Sequence, residues 1–250
     1  MADIPIGLQL WSVRQACAED LPGTLRSIAE MGYDGVEFAG YHDYAAAELR
    51  DMLEEVGLAV AGSHLRIGKF LGDALPKTLD FESTLGNRHL VVPALADEYR
   101  DSAEAWRRTA ELLGELAEQV SARDMRFGYH NHRMEFEPAD GEIPLDILAE
   151  NTPQGLFLQL DIGHCLRAGA DPSVYLARYP GRYVTVHVRD WSPDDDHAVV
   201  GEGDVPWEEV FALCEESGGT EWYIVEQTAG DMPELEAVEK CIKNLRAMGK

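Results

Sequence analysis

Short strand-like apolar runs alternate with helical patterns along the whole chain, and that alternation restricts the fold more than any single motif does. The runs fall at about 4–10, 34–38, 58–63, 88–92, 125–129, 156–160, 182–188 and 221–226. Between them the spacing predicts helices at 21–31, 45–56, 102–122, 207–217 and 234–247, with weaker patterns near 74–85, 144–150 and 172–178. In 102–122, Ala105, Thr109, Leu112, Leu113, Leu116 and Val120 share one face. Met31-Gly32, Val56-Gly57 and Leu85-Gly86 put glycine where a helix must stop before the next strand. Eight βα units with no glycine- or serine-rich linker predict one α/β domain over 1–250, a closed parallel (β/α)8 TIM barrel. A doubly wound sheet would want a phosphate-binding glycine loop after its first strand, and Leu10-Trp11-Ser12-Val13-Arg14 supplies none.

Ionisable residues stand where the runs stop. His64, His130, His132, His164 and His187 cluster there, as do Glu37, Asp161 and Glu226. In a parallel barrel such side chains meet at one rim, where enzymes of this architecture place their chemistry. His130, Asp161, His187 and Glu226 belong to the last four strands in succession. Neighbouring strands lie about 4.8 Å apart, so these four side chains can converge on one divalent cation. Their mixed nitrogen and oxygen donors suit Mn²⁺, Co²⁺, Fe²⁺ or Zn²⁺ better than Mg²⁺. Singly, each has a plainer role: a strand-end histidine is often just hydrogen-bonded, and Asp161 before Ile162-Gly163 can cap a turn.

Composition narrows the partners. With 46 acidic against 21 basic residues, a formal charge of -25 repels phosphate backbones and anionic lipid, so neither nucleic acid nor membrane is expected. Cys17, Cys165, Cys214 and Cys241 are far apart, which suits reduced thiols in a cytoplasmic protein. Met1-Ala2-Asp3-Ile4-Pro5 has no signal-peptide pattern, and no apolar run is long enough to span a bilayer.

Several segments together resemble the xylose-isomerase-like sugar isomerase/epimerase superfamily. They are Gly7-Leu8-Gln9-Leu10-Trp11-Ser12-Val13-Arg14, Gly35-Val36-Glu37-Phe38-Ala39-Gly40, Gly128-Tyr129-His130-Asn131-His132, Leu160-Asp161-Ile162-Gly163-His164, Val186-His187-Val188-Arg189-Asp190 and Val225-Glu226-Gln227. The ketose 3-epimerases of that group hold their metal with Glu, Asp, His and Glu, which by motif fall on His130, Asp161, His187 and Glu226. The first position departs, so their two-glutamate proton-transfer pair is incomplete here. A branch reading Tyr-His-Asn-His is similar at this point.

The resemblance implies a small carbohydrate substrate, a divalent metal and no organic cofactor. It leaves oligomeric state open, a homo-oligomer included. Glu226 is the expected base, with His164 or Glu37 handling a second proton. Gln9, His64, His132 and His164 are candidates for substrate hydroxyls, Arg189 or Arg133 for an oxyanion or phosphate, and Trp11, Trp191 and Phe38 for apolar walls. Arg189 has the alternative of pairing with Asp190. The stretch Gly201-Glu202-Gly203-Asp204-Val205-Pro206-Trp207, following Asp194-Asp195-Asp196, is a candidate lid.

The implied activity is a sugar isomerase or epimerase working by α-proton abstraction and a metal-stabilised enediolate. A lyase acting on 3-keto glycosides would use the same site. An abasic-site endonuclease and a non-catalytic binding module are remoter, the first opposed by the charge. Five lysines and an acidic rim make a heavily phosphorylated substrate less attractive.

Overall fold

A computed structural model describes residues 4–216, 219–228 and 230–250. The amino-terminal residues 1–3 and the last residue of the helix expected at 207–217 lie outside them. Eight parallel strands close into a barrel in chain order: β1 (Ile6–Gln9), β2 (Gly35–Phe38), β3 (Ala59–His64), β4 (His89–Val92), β5 (Arg126–His130), β6 (Leu156–Asp161), β7 (Thr185–Val188) and β8 (Trp222–Val225). β8 returns to pair with β1. The helices are α1 (Arg14–Met31), α2 (Ala46–Val56), α3 (Ala74–Leu85), α4 (Ala103–Ser121), α5 (Pro144–Asn151), α6 (Ile162–Arg167), α7 (Pro172–Arg178), α8 (Trp207–Glu216) and α9 (Glu234–Ala247). Among the described residues no helix is long and apolar enough to cross a membrane.

The expected strands all form, most of them shorter at their ends. The helices gain two features. α1 begins seven residues early, and its backbone breaks at Asp20 (φ -154°, ψ 87°). There the Asp20 side chain accepts from Gly23 N at 3.0 Å, so the second half of α1 is capped where the spacing placed a helix start. α6 was not expected; it is a short helix begun by Asp161, whose Oδ1 accepts from His164 N at 2.7 Å. Gly32, Gly57 and Gly86 terminate α1, α2 and α3 with positive φ, as the sequence predicts.

Glycines open the barrel floor to aromatics. A Cβ on Gly128 would stand 2.5 Å from the Phe157 ring, and one on Gly35 would meet Trp222 at 2.8 Å. Those rings fill the lower interior, where a TIM barrel is a packed core. Toward the carboxyl ends the interior turns polar. Because successive side chains in a strand alternate faces, Gln159 and Asp161 of β6 both point inward, as do Thr185 and His187 of β7.

Candidate active site

Register brings the strand ends level. His130 pairs with Gln159, Asp161 with His187, and Gln9 with Glu37. One donor atom each from His130, Asp161, His187 and Glu226 lies within 4.8 Å of the others, and all four residues are buried. Asp161 serves two purposes. Its Oδ1 caps α6, while Oδ2 is buried with no hydrogen-bond partner. His187 Nδ1, also buried, has no aligned hydrogen bond and faces the Glu226 carboxylate as an ion pair, 2.9 Å from Oε2. Polar atoms left this way cost stability unless something binds them, so the donor set fits a divalent cation.

Burial alone would raise the Glu226 carboxyl, but His187 beside it and then Arg189 hold it well below the usual carboxylate range. Arg189 Nη1 is 3.7 Å from Glu226 Oε1, and its Nη2 donates to Thr228 Oγ1 at 3.1 Å. Burial would lower the His187 imidazole, yet Glu37 and Glu226 on either side lift it to about 10. His130 goes the other way. Burial, with His187 and His64 nearby, keeps it well below its ordinary value. Burial and His164 bring His132 down to about 4, and burial also lowers His164. The latter two rings are 5.0 Å apart, and His164 Nδ1 has no partner.

A cleft of about 360 Å³ opens over this cluster, lined by Trp11, Ala39, His64, Arg66, Pro93, Ala94, His130, His132 and Glu226. Trp11 is half exposed at its rim, with the Arg14 guanidinium stacked 4.9 Å from its ring. Gln9 and Glu37 are not among the lining residues. Gln9 is fully buried, its Oε1 accepting from Trp11 N and its Nε2 donating to Glu37 Oε2 at 2.6 Å. Glu37 is fully buried as well, with His187 Nε2 at 2.7 Å, Gln159 Nε2 at 2.7 Å and His64 Nε2 at 3.2 Å. Burial would raise its carboxyl, but His64, His187 and the hydrogen bonds from His187 and Gln159 bring it down to about 2.

Other expectations resolve differently. Phe38 is buried in the core, Trp191 donates to Asp196, and Arg133 pairs with Glu137. Asp190 does not pair with Arg189. It instead accepts from Trp191 N, Gly201 N, Val205 N and Trp207 Nε1, which anchors the segment read as a lid. A Cβ at Gly203 would lie 2.2 Å from Asp190 Oδ1, so the turn needs glycine there. Sequence reasoning missed Gln159 and Arg66. Gln159 stands two residues before Asp161 on the same inward face, a signal the period of two provides. Arg66 lies just beyond β3, and a lone arginine in a loop carries no comparable sign.

Residues 25–248 match the model of the xylose isomerase-like TIM barrel family, and the chain belongs to that family. Among curated relatives it is 29% identical over 142 residues to an inosose dehydratase of Clostridium tetani, 49% of this chain and 47% of that one. The chain spans about half the length of the curated relatives it matches first. A solved sugar phosphate isomerase/epimerase from Parabacteroides distasonis superposes with a TM-score of 0.85 at 24% identity, covering 99% of this chain and 95% of that chain. IolI, solved with a bound zinc atom, gives 0.76 at 14% identity, covering 98% and 97%. At these identities the structural likeness concerns the fold.

Proposed function

We propose that the chain is a divalent-metal-dependent isomerase or epimerase that removes the proton next to the carbonyl of a sugar derivative. The observation that carries this reading is the buried Asp161 Oδ2, left without a hydrogen-bond partner where it converges with His130, His187 and Glu226 beneath the cleft. A divalent cation held there would polarise the substrate carbonyl and offset the negative charge that follows proton loss. Mn²⁺, Co²⁺, Fe²⁺ and Zn²⁺ suit the donors better than Mg²⁺. Glu226, which lines the cleft, is the proposed base. Its depressed carboxyl stays ionised and ready to accept, but is a weak base, so catalysis depends on acidifying the substrate carbon. His132, which lines the cleft, and His164, whose ring is 5.0 Å from it, are held neutral and are the proposed carriers of the second proton. Glu37, enclosed below the cleft, is poorly placed for it.

The relatives named inosose dehydratase favour a second reading from the same first step. After α-deprotonation a β-hydroxyl, or the aglycone of a 3-keto glycoside, leaves instead of the carbon being reprotonated. Metal analysis and solvent exchange test the shared step. The purified chain should carry about one transition metal, and deuterium from solvent should enter the α-carbon of a keto or aldo sugar substrate. Glu226→Gln should slow that exchange by about 10²–10⁴-fold. A chain that binds no metal, or retains every substrate hydrogen through turnover, sinks the reading. An unsaturated ketone product selects elimination over epimerisation.

A further inference from the structure

Glu37 and Gln159 lie one layer below the four proposed ligands, and their hydrogen bonds leave each ligand histidine one usable nitrogen. An ionised carboxylate only accepts. Glu37 Oε1 therefore turns the amide nitrogen of Gln159 toward itself at 2.7 Å, with Thr185 Oγ1 also 2.9 Å from that nitrogen. The Gln159 carbonyl then faces upward, 3.0 Å from His130 Nδ1 and 2.7 Å from His64 Nε2. A carbonyl only accepts, so both nitrogens carry hydrogen. On its other side Glu37 Oε2 takes a hydrogen bond from His187 Nε2 at 2.7 Å. When each ring is neutral, the remaining lone pair is on Nε2 of His130 and on Nδ1 of His187.

We infer that His130 and His187 hold a divalent cation through different nitrogens, Nε2 and Nδ1, and that Glu37 is the positioning residue setting both tautomers. It acts directly on His187 and through the Gln159 amide on His130. This rests on the metal reading above. The backbone makes room for Glu37: register shifts between β2 and β3 at Val36/Glu37, and a Cβ on Gly62 would stand 2.9 Å from Glu37 Oε1. Gln9 Nε2, at 2.6 Å, adds another donor to the carboxylate. A protonated Glu37 would set a hydroxyl against these donors, so the surroundings suit a permanent acceptor and oppose a proton shuttle.

Zinc-loaded wild-type protein labelled with ¹⁵N histidine tests the tautomers without a variant at Glu37. Long-range proton–nitrogen correlation, assigned with His130→Gln and His187→Gln, should show His187 protonated at Nε2 and His130 at Nδ1. The same tautomer at both, or the two reversed, overturns the inference while leaving the metal reading in place. Glu37→Gln should weaken Zn²⁺ binding by about 10- to 100-fold with an unchanged far-ultraviolet spectrum, and Glu37→Asp should recover part of it. Unchanged Zn²⁺ affinity with lost turnover would make Glu37 an acid/base and refute its positioning role. Failure of the wild type to bind Zn²⁺ overturns both readings together.

Discussion

Glu37 inside the barrel and Glu82 on α3 outside it are both fully buried, yet their carboxyls move in opposite directions. Glu82 receives the Tyr41 hydroxyl, Ser63 Oγ at 3.2 Å and Asn87 Nδ2 at 2.8 Å. All are neutral. Burial outweighs them and the Glu82 carboxyl is raised, whereas around Glu37 two imidazoles join the amide donors and hold it at about 2. β3 serves both sites from its two faces. Gly62 makes room for Glu37, and the next residue, Ser63, turns outward to Glu82. Burial raises both carboxyls, and the charge of the partners decides the outcome. A buried carboxylate among histidines is a candidate functional group, while the one among hydroxyls and amides fastens a helix to the barrel.

The largest test of that contrast is Glu37→Gln in the presence of a chelator. It leaves the His187 imidazolium with Glu226 as its remaining close carboxylate, and removing one partner of a buried pair costs about 3–5 kcal/mol. Urea unfolding at neutral pH measures it. A loss as small as that of an exposed ion pair would mean the Glu37 charge is not engaged.

Glu82→Gln should cost less, about 1–3 kcal/mol, because an amide nitrogen then faces donors that need an acceptor. Zn²⁺ affinity should not change. If it did, the two carboxylates would belong to one network and the comparison would fail.

How much of this contrast is legible in the sequence depends on the kind of signal. Glu37, His130, Asp161, His187 and Glu226 could be read because each closes an apolar run, and a closed parallel barrel turns run ends into neighbours. The eight strands were legible for the same reason, being short, apolar and separated by helical patterns, the first three of which stop at glycine. Glu37's partners were not. Which amide faces it depends on β2–β3 register and on the missing side chain at Gly62, both long-range outcomes. Glu82 lies in a helix whose pattern gives no sign that an acidic residue turns inward, since Asn87, Ser63 and Tyr41 meet it only after folding. The Asp190 anchor was hidden likewise: three backbone donors from a loop more than ten residues long and the Trp207 indole at the start of α8 converge on one carboxylate.

pH sharpens the contrast through sign. Each carboxyl titrates near 4.5 when unfolded. Glu37, lowered when folded, stabilises fully above that value, and its contribution is lost as pH falls toward about 2. Glu82, raised when folded, contributes most at low pH and loses this as pH rises through about 4.5 and beyond. From about pH 6 to about pH 4 the stability gap between wild type and Glu37→Gln should therefore close, and that for Glu82→Gln should widen. Either slope is at most about 1.4 kcal/mol per pH unit for one group. Parallel slopes would remove the distinction.

Tyr41→Phe gives the smallest effect and the finest test, because it deletes one donor to Glu82 and nothing near Glu37. The expected loss is about 0.5–1.5 kcal/mol, the net worth of one intramolecular hydrogen bond. Since the Tyr41 hydroxyl lowers the Glu82 carboxyl against the rise from burial, removing it should push that carboxyl further up. The Glu82 window in the stability profile then extends to higher pH, and the Glu37 window stays where it was. The Tyr41 ring packs tilted against Phe81, centroids 4.5 Å apart, and phenylalanine preserves that contact, so the change isolates the hydroxyl. A Tyr41→Phe protein whose Glu82 window moved down would show that the hydroxyl stabilises the protonated acid, and the account of Glu82 as a helix fastener held by donors would have to be given up.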